Sequence, residues 1–160
     1  MENEVEKEVE GIIRVYKLDC SIKEFKDIIV DWTWMSCSQK LSLGFIKEFK
    51  ERVDWCDVSR FQNLSEDFIK EFKDKVNWDY ISYCQKLSEK FIKEFEDKIN
   101  WYHISRCQNL SESFIYKFQK RLNMNYLIES RKITKKTLLE LEYLDPAIPK
   151  CTRFEILDIR

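Results

Sequence analysis

Residues 53–75 read VDWCDVSRFQNLSEDFIKEFKDK, and residues 76–98 read VNWDYISYCQKLSEKFIKEFEDK. They are two copies of one pattern, offset by the 23 residues that separate Trp55 from Trp78. Two further copies flank them: VDWTWMSCSQKLSLGFIKEFKER at 30–52 and INWYHISRCQNLSESFIYKFQKR at 99–121. Trp32, Trp55, Trp78 and Trp101 are therefore in register. A decayed fifth copy starts at Leu122, with Met124 in the Trp position, Ile133 and Thr134 for the Leu-Ser pair, and Leu138 and Leu141 for Ile and Phe. A partial copy leads the array, in which Leu18, Ile22 and Phe25 match Leu41, Ile46 and Phe49 with one residue deleted. A period of this length marks units that cannot bury their apolar face alone and must stack.

A single straight helix cannot carry this pattern. At about 100° per residue, one period leaves a remainder of roughly 140°, so an apolar stripe would rotate off its face at every copy. The helix must break within each repeat, and two sets of polar caps mark where. Asp31, Asp54, Asn77, Asn100 and Asn123 precede the Trp position. Ser42, Ser65, Ser88 and Ser111 follow the Leu. Both are residue types whose side chains accept from the free N–H groups of a first helical turn. Each is bracketed by an apolar pair at staple spacing, as in Val30 with Met35, Val53 with Val58, Leu64 with Ile69, or Leu122 with Leu127. Each repeat is thus expected to hold a B helix of about eight residues starting at Trp and an A helix of about eleven starting after Ser. Such helices are unstable alone and have to pack. The expected fold is all-α: an α-solenoid of stacked short helical hairpins, about five repeats with terminal caps. Residues 1–17 form an N-terminal capping helix with Val5, Val9, Ile12, Ile13 and Tyr16 on one stripe, residues 18–144 the array, and residues 145–160 a C-terminal tail or cap.

Composition agrees. The 160 residues hold only two Gly and two Pro, at Pro146 and Pro149, too few turn formers for a β-protein. Aromatics make up 14%, which excludes a disordered polyampholyte despite 36% charged residues. Eight of the 11 Phe occupy two repeat positions, and with the Trp column they are expected to form the stacked core. The balance of 28 Lys+Arg against 29 Asp+Glu excludes a strongly polycationic binder of nucleic acid or membranes. It averages an acidic start, residues 1–10 with five Glu and one Lys, and a basic end, residues 117–160 with ten basic and six acidic residues. There is no apolar run of transmembrane length, and MENEVEKEVE is not a secretory signal. The six Cys form no Cys-x-x-Cys pair and read as reduced, buried small hydrophobes in a cytosolic compartment, the host-cell cytosol for a viral protein.

Within the B helix, Ser36, Ser59, Ser82 and Ser105 recur four residues after Trp, and Gln39, Gln62, Gln85 and Gln108 seven after it. They could grip an extended ligand as a polar ladder. They share the face of Trp and Val/Ile, however, so they are expected to belong to the frame: Ser for close helix approach, Gln to bond backbone in the neighbouring turn. The other face varies, and there aromatic, Arg, acidic and thiol groups collect, Cys37 and Cys56 among them, a composition close to that of interface hot spots. Trp34, Arg60, Tyr80, Tyr83, His103 and Arg106 are the partner-binding candidates. No catalytic, cofactor or metal site is expected: His103 is the only His, Gly11 and Gly44 form no phosphate loop, and the repeated Ser lack a base. Arg131, Lys132, Lys135 and Lys136 are weak nucleic-acid candidates. With about four to six charges and no row of stacking aromatics beside them, a basic end-cap is the better account.

The unit L-S-E-x-F-I-x-E-F-x-D-x-[VI]-[DN]-W-x-x-I-S-x-x-Q, as in Leu64 to Gln85, resembles short tandem helical repeats in proteins of bacteriophages and giant viruses, over about residues 18–141. That family has no settled reaction or ligand to carry over. The resemblance implies a viral or mobile-element origin and a role in binding host proteins. The expected function is a non-enzymatic protein-binding scaffold whose partner is a host or viral protein, in its most specific form a viral antagonist of a host defence protein. The alternatives are nucleic-acid binding through the basic C-terminal end and a structural, self-associating repeat module.

Overall fold

The computed structural model describes residues 2–25, 31–130, 133, 134 and 137. Among these, all regular structure is helical. Helix α1 (Glu2–Tyr16) leads, followed by the short α2 (Ile22–Phe25). The B helices are α3 (Trp32–Ser38), α5 (Trp55–Phe61), α7 (Trp78–Cys84), α9 (Trp101–Cys107) and α11 (Met124–Glu129). The A helices are α4 (Leu43–Glu48), α6 (Glu66–Glu71), α8 (Glu89–Glu94) and α10 (Glu112–Phe118). The protein is an α-solenoid of short hairpins: α3 packs on α5 and α5 on α7, and farther along α9 packs on α11. The chain divides into two compact units, Met1–Gln85 and Lys86–Arg160.

Every expected cap within the described residues is made. The Asp54 carboxylate accepts from Asp57 N–H at 3.0 Å, the Ser65 hydroxyl from Phe68 N–H at 3.2 Å, and the Asn77 carbonyl from Asp79 and Tyr80 N–H, both at 3.1 Å. Asp31, Ser42, Ser88, Asn100, Ser111 and Asn123 cap in the same way. The staple pairs Val53–Val58, Leu64–Ile69, Val76–Ile81, Leu87–Ile92, Ile99–Ile104 and Leu122–Leu127 are buried. Val30 and the tail 145–160 lie outside the described residues.

Two expectations need correction. The A helices run six or seven residues, not eleven. At Phe72 the backbone leaves α geometry (φ -110, ψ 26), and its carbonyl accepts from both Lys75 N–H at 2.9 Å and Val76 N–H at 3.1 Å. This tightened turn reverses the chain with the residues that would have extended the helix, and it needs no glycine because φ stays negative. The Trp column, expected in the core, is only half-buried. One side of the Trp32, Trp55 and Trp101 indoles packs on Phe, with Trp32 5.3 Å from Phe49, Trp55 5.0 Å from Phe72 and Trp101 5.3 Å from Phe118. The ring nitrogen serves the end of the preceding A helix. Trp55 Nε1 donates to Lys50 O, Trp78 Nε1 to Lys73 O (both 2.9 Å), and Trp101 Nε1 to Glu96 O at 3.0 Å.

The Ser and Gln columns lock each repeat to the one before it. Ser59 Oγ donates to Trp55 O at 2.6 Å and accepts from the N–H of Asn77 in the next repeat at 2.9 Å. Ser36 does the same with Trp32 and Asp54, and Ser105 with Trp101 and Asn123. Gln62 reaches backward. Its Nε2 donates to Ser36 O and Gln39 O, both at 2.7 Å, and its Oε1 accepts from Leu41 N–H at 2.9 Å. Gln85 repeats this on Ser59 O (3.0 Å), Gln62 O (2.8 Å) and Leu64 N–H (3.1 Å). In the second unit Gln108 Oε1 accepts from Leu87 N–H at 3.0 Å. One buried amide thus satisfies three backbone groups at the end of the preceding B helix. A carboxylate has no donor and could not do so.

Helix α1 closes the array by supplying groups that a preceding repeat would supply. The Tyr16 hydroxyl takes the bond from Gln39 Nε2 at 2.6 Å. Glu8 accepts from Ser42 N–H at 2.9 Å, the role Glu89 plays for Ser111 N–H inside the second unit. Its own Val9 and Ile12 are buried. Gly44 stands where other repeats carry Asp67, Lys90 or Ser113, and a Cβ there would come within 3.3 Å of Val5 Cγ2, so the gap accommodates the capping helix.

Gln62→Ala leaves three backbone groups unpaired and is expected to cost more than about 2 kcal/mol, whereas Gln39→Ala, which loses one bond to a hydroxyl, should cost about 1 kcal/mol. Urea unfolding of the two variants checks the order. Trp78→Phe keeps a ring and deletes the N–H bond; the same measurement should give a loss of about 1 kcal/mol.

Candidate protein-binding face

Ser36, Ser59, Ser82 and Ser105 have no accessible surface and Gln62, Gln85 and Gln108 are buried, with only Gln39 at the capped end half-buried, so the polar ladder cannot meet an extended ligand. What the B helices present outward is the set of positions one, two, five and six after Trp. In the first unit α3, α5 and α7 carry Trp34, Arg60, Tyr80 and Tyr83 there. Trp34 is 41% exposed and meets Tyr16 edge-on, ring centroids 5.0 Å apart. Arg60 is exposed on α5, and its guanidinium carbon lies 4.8 Å from the Phe61 ring centroid and 5.4 Å from that of Tyr80. The half-buried Tyr80 therefore links α7 to α5 through a cation–π contact. Tyr83, one turn farther along α7, is 47% exposed.

Phe61 was not among the expected site residues, yet it is 49% exposed and lies under Arg60. Its column supplied a signal: the same position holds Ser38, Cys84 and Cys107 elsewhere, and a lone Phe in a small-residue column is not frame. Asp57, three residues before Arg60, has its carboxyl raised from the ordinary value. Burial is the main cause, the neighbouring Asp54 charge adds to it, and Arg60 opposes both.

His103 and Arg106 lie on α9 in the second unit. Arg106 is exposed, His103 is half-buried, and the Tyr102 ring stands 5.5 Å from the imidazole at a steep angle. Arg131, Lys132, Lys135 and Lys136 lie outside the described residues. The cysteines correct an expectation. Cys56, Cys84 and Cys107 are exposed thiols, and Cys20 and Cys37 are half-buried. Cys37, Cys56, Cys84 and Cys107 sit at the outward B positions rather than on the core side. Among the described residues no group of three or more His, Cys, Asp or Glu side chains could hold a metal ion, and no helix is long and apolar enough to cross a membrane. The outer side of the A helices and of the turns that follow them carries ion pairs between neighbouring repeats, Lys47–Glu71 and Lys75–Glu51, as an ordinary solvated surface does.

The fold and this face define a helical-repeat protein with a constant frame and a variable outer face. Comparison with protein-family models, curated proteins and solved structures gave no match.

The charges around Asp57 predict its titration. Arg60→Met removes the one group that lowers it, so the Asp57 pKa should rise further; Asp54→Asn removes a raising charge, so it should fall. Carboxyl carbon NMR titration of the two variants gives the sign of each shift.

Proposed function

We propose that this chain is a non-enzymatic scaffold that binds a protein through the outward face of its B helices. The observation that carries the reading is the contrast between the columns. Where the side chain is locked to backbone, Ser and Gln recur without change. Where it faces solvent, the first unit collects Trp34, Arg60, Phe61, Tyr80 and Tyr83, residue types that dominate interface energetics. Large aromatic surface held on a hydrogen-bonded frame is pre-organised, so binding forfeits little conformational freedom. His103, Arg106 and the exposed Tyr102 offer similar chemistry on α9. The resemblance to repeats of phage and giant-virus proteins makes a host protein the natural partner, and an antagonist of host defence the specific form of the proposal.

The test compares the wild type with Trp34→Ala/Tyr80→Ala/Tyr83→Ala in affinity capture from host lysate, read by mass spectrometry. The variant should retain the helical circular dichroism spectrum and lose the captured protein. Retention of the same captured protein would show that the face is wrong. Light scattering on the wild type addresses the self-associating alternative, for which a concentration-independent monomer mass is the contrary result.

A further inference from the structure

The binding face of the first unit also shows what kind of partner it fits. Among the described residues, no hydrogen bond or ion pair engages the Arg60 guanidinium; its contacts are the faces of Phe61 and Tyr80. The two ring contacts hold the guanidinium at the exposed surface of α5, and its five N–H donors take no hydrogen-bond acceptor among the described residues. That arrangement suits a planar bidentate acceptor. Phe61, in contact with it, and Tyr83, which holds on α7 the repeat position that Arg60 holds on α5, are both about half exposed and supply apolar surface.

The surrounding charge discriminates among acceptors. On α3, α5, α7 and their caps, Arg60 is the only cation, against Asp31, Asp54, Asp57 and Asp79. A polyanion would bring many phosphates across four carboxylates and gain one cation, so a nucleic-acid backbone is a poor complement. A protein segment can instead place a single carboxylate on Arg60 and a basic side chain toward Asp57 and Asp79, with an apolar side chain between them. Charges arranged in this way set register and partner choice.

We infer that the face around Arg60 binds a protein segment in which an acidic residue, seated on the exposed guanidinium, adjoins an apolar residue packed on Phe61 and Tyr83 and a basic residue facing Asp57 and Asp79. The inference rests on the proposed protein-binding role and specifies its partner chemistry.

The probe is a library of random twelve-residue peptides displayed on phage, panned against the full chain, with selected sequences resynthesised for titration. Selected peptides should share an Asp or Glu beside an apolar residue and a Lys or Arg. Their affinity should fall about tenfold or more for Arg60→Met, the loss of a charge-assisted pair, and a similar fall should follow replacement of the peptide's own acid by its amide. Panning against Arg60→Glu should return peptides in which a basic residue replaces the acid. Peptides that lose binding with Phe61→Ala or Tyr83→Ala, yet lack a shared acid and bind Arg60→Met as well as wild type, would overturn the carboxylate inference and leave the binding face standing. Failure to select any peptide sensitive to these ring variants would overturn both. Binding of a short single-stranded RNA or DNA that is lost with Arg60→Met, or dimerisation lost with it, would overturn the inference in favour of a different occupant.

Discussion

The fold depends on one buried amide per repeat. A B helix of seven residues ends with carbonyls that no intrahelical N–H can reach, and the loop behind it contains no Gly or Pro to turn the chain and hide them. Gln62 and Gln85 resolve this from the following repeat, each giving two N–H donors to the Ser and Gln carbonyls and one acceptor to the Leu amide. Ser36, Ser59 and Ser105 complete the bond in the other direction, accepting the N–H of the next cap residue. Helices too short to persist alone are thereby joined through backbone groups as well as through Phe and Ile. Because each bond partner belongs to a different repeat, losing one amide weakens two layers at once.

This arrangement determines where the sequence can vary. A position that must satisfy three buried backbone groups accepts no other side chain of that reach and chemistry, so the Gln column stays constant. The positions one, two, five and six after Trp meet no such demand, and in the four full repeats they hold Trp, Tyr, Phe, His, Arg, Asp, Thr, Ser and Cys. Function, on this account, is written on the face that the frame leaves free. The array also needs an end, and α1 supplies it by imitation: a phenol and a carboxylate stand in for groups of a missing repeat, and Gly44 removes the side chain that would hold Val5 away.

Much of this was legible in the sequence because caps and staples are local. Asp, Asn and Ser at two fixed places per period, each bracketed by apolar residues, announced two helix starts. The period itself implied stacking. The termination of the A helix was less legible, since Phe72, Lys73 and Lys75 are acceptable helix residues and the turn arises from two N–H groups converging on one carbonyl. The Trp column looked like core because it is large and regular. Its ring nitrogen, which seeks the Lys50 and Lys73 carbonyls, holds it at the boundary instead. The Gln column could be placed in the frame, but its partners lie 21 to 26 residues away and depend on the stacking offset. The site was half legible. Arg60 and the tyrosines stood out as unusual for their columns, whereas Phe61 was hidden among the many core Phe, and Cys84 and Cys107 were expected inside because Cys more often packs there.

Native-state hydrogen exchange at single loop amides tests the lock most directly. Leu41 and Leu64 lie outside the helices, yet their N–H groups donate to Gln62 and Gln85. The account predicts that both amides exchange as slowly as Val58 and Ile81 in the helical core, through unfolding of the packed unit rather than local fraying. Exchange of Leu41 and Leu64 at the rate of the exposed loop neighbours Lys40 and Asn63 would contradict it.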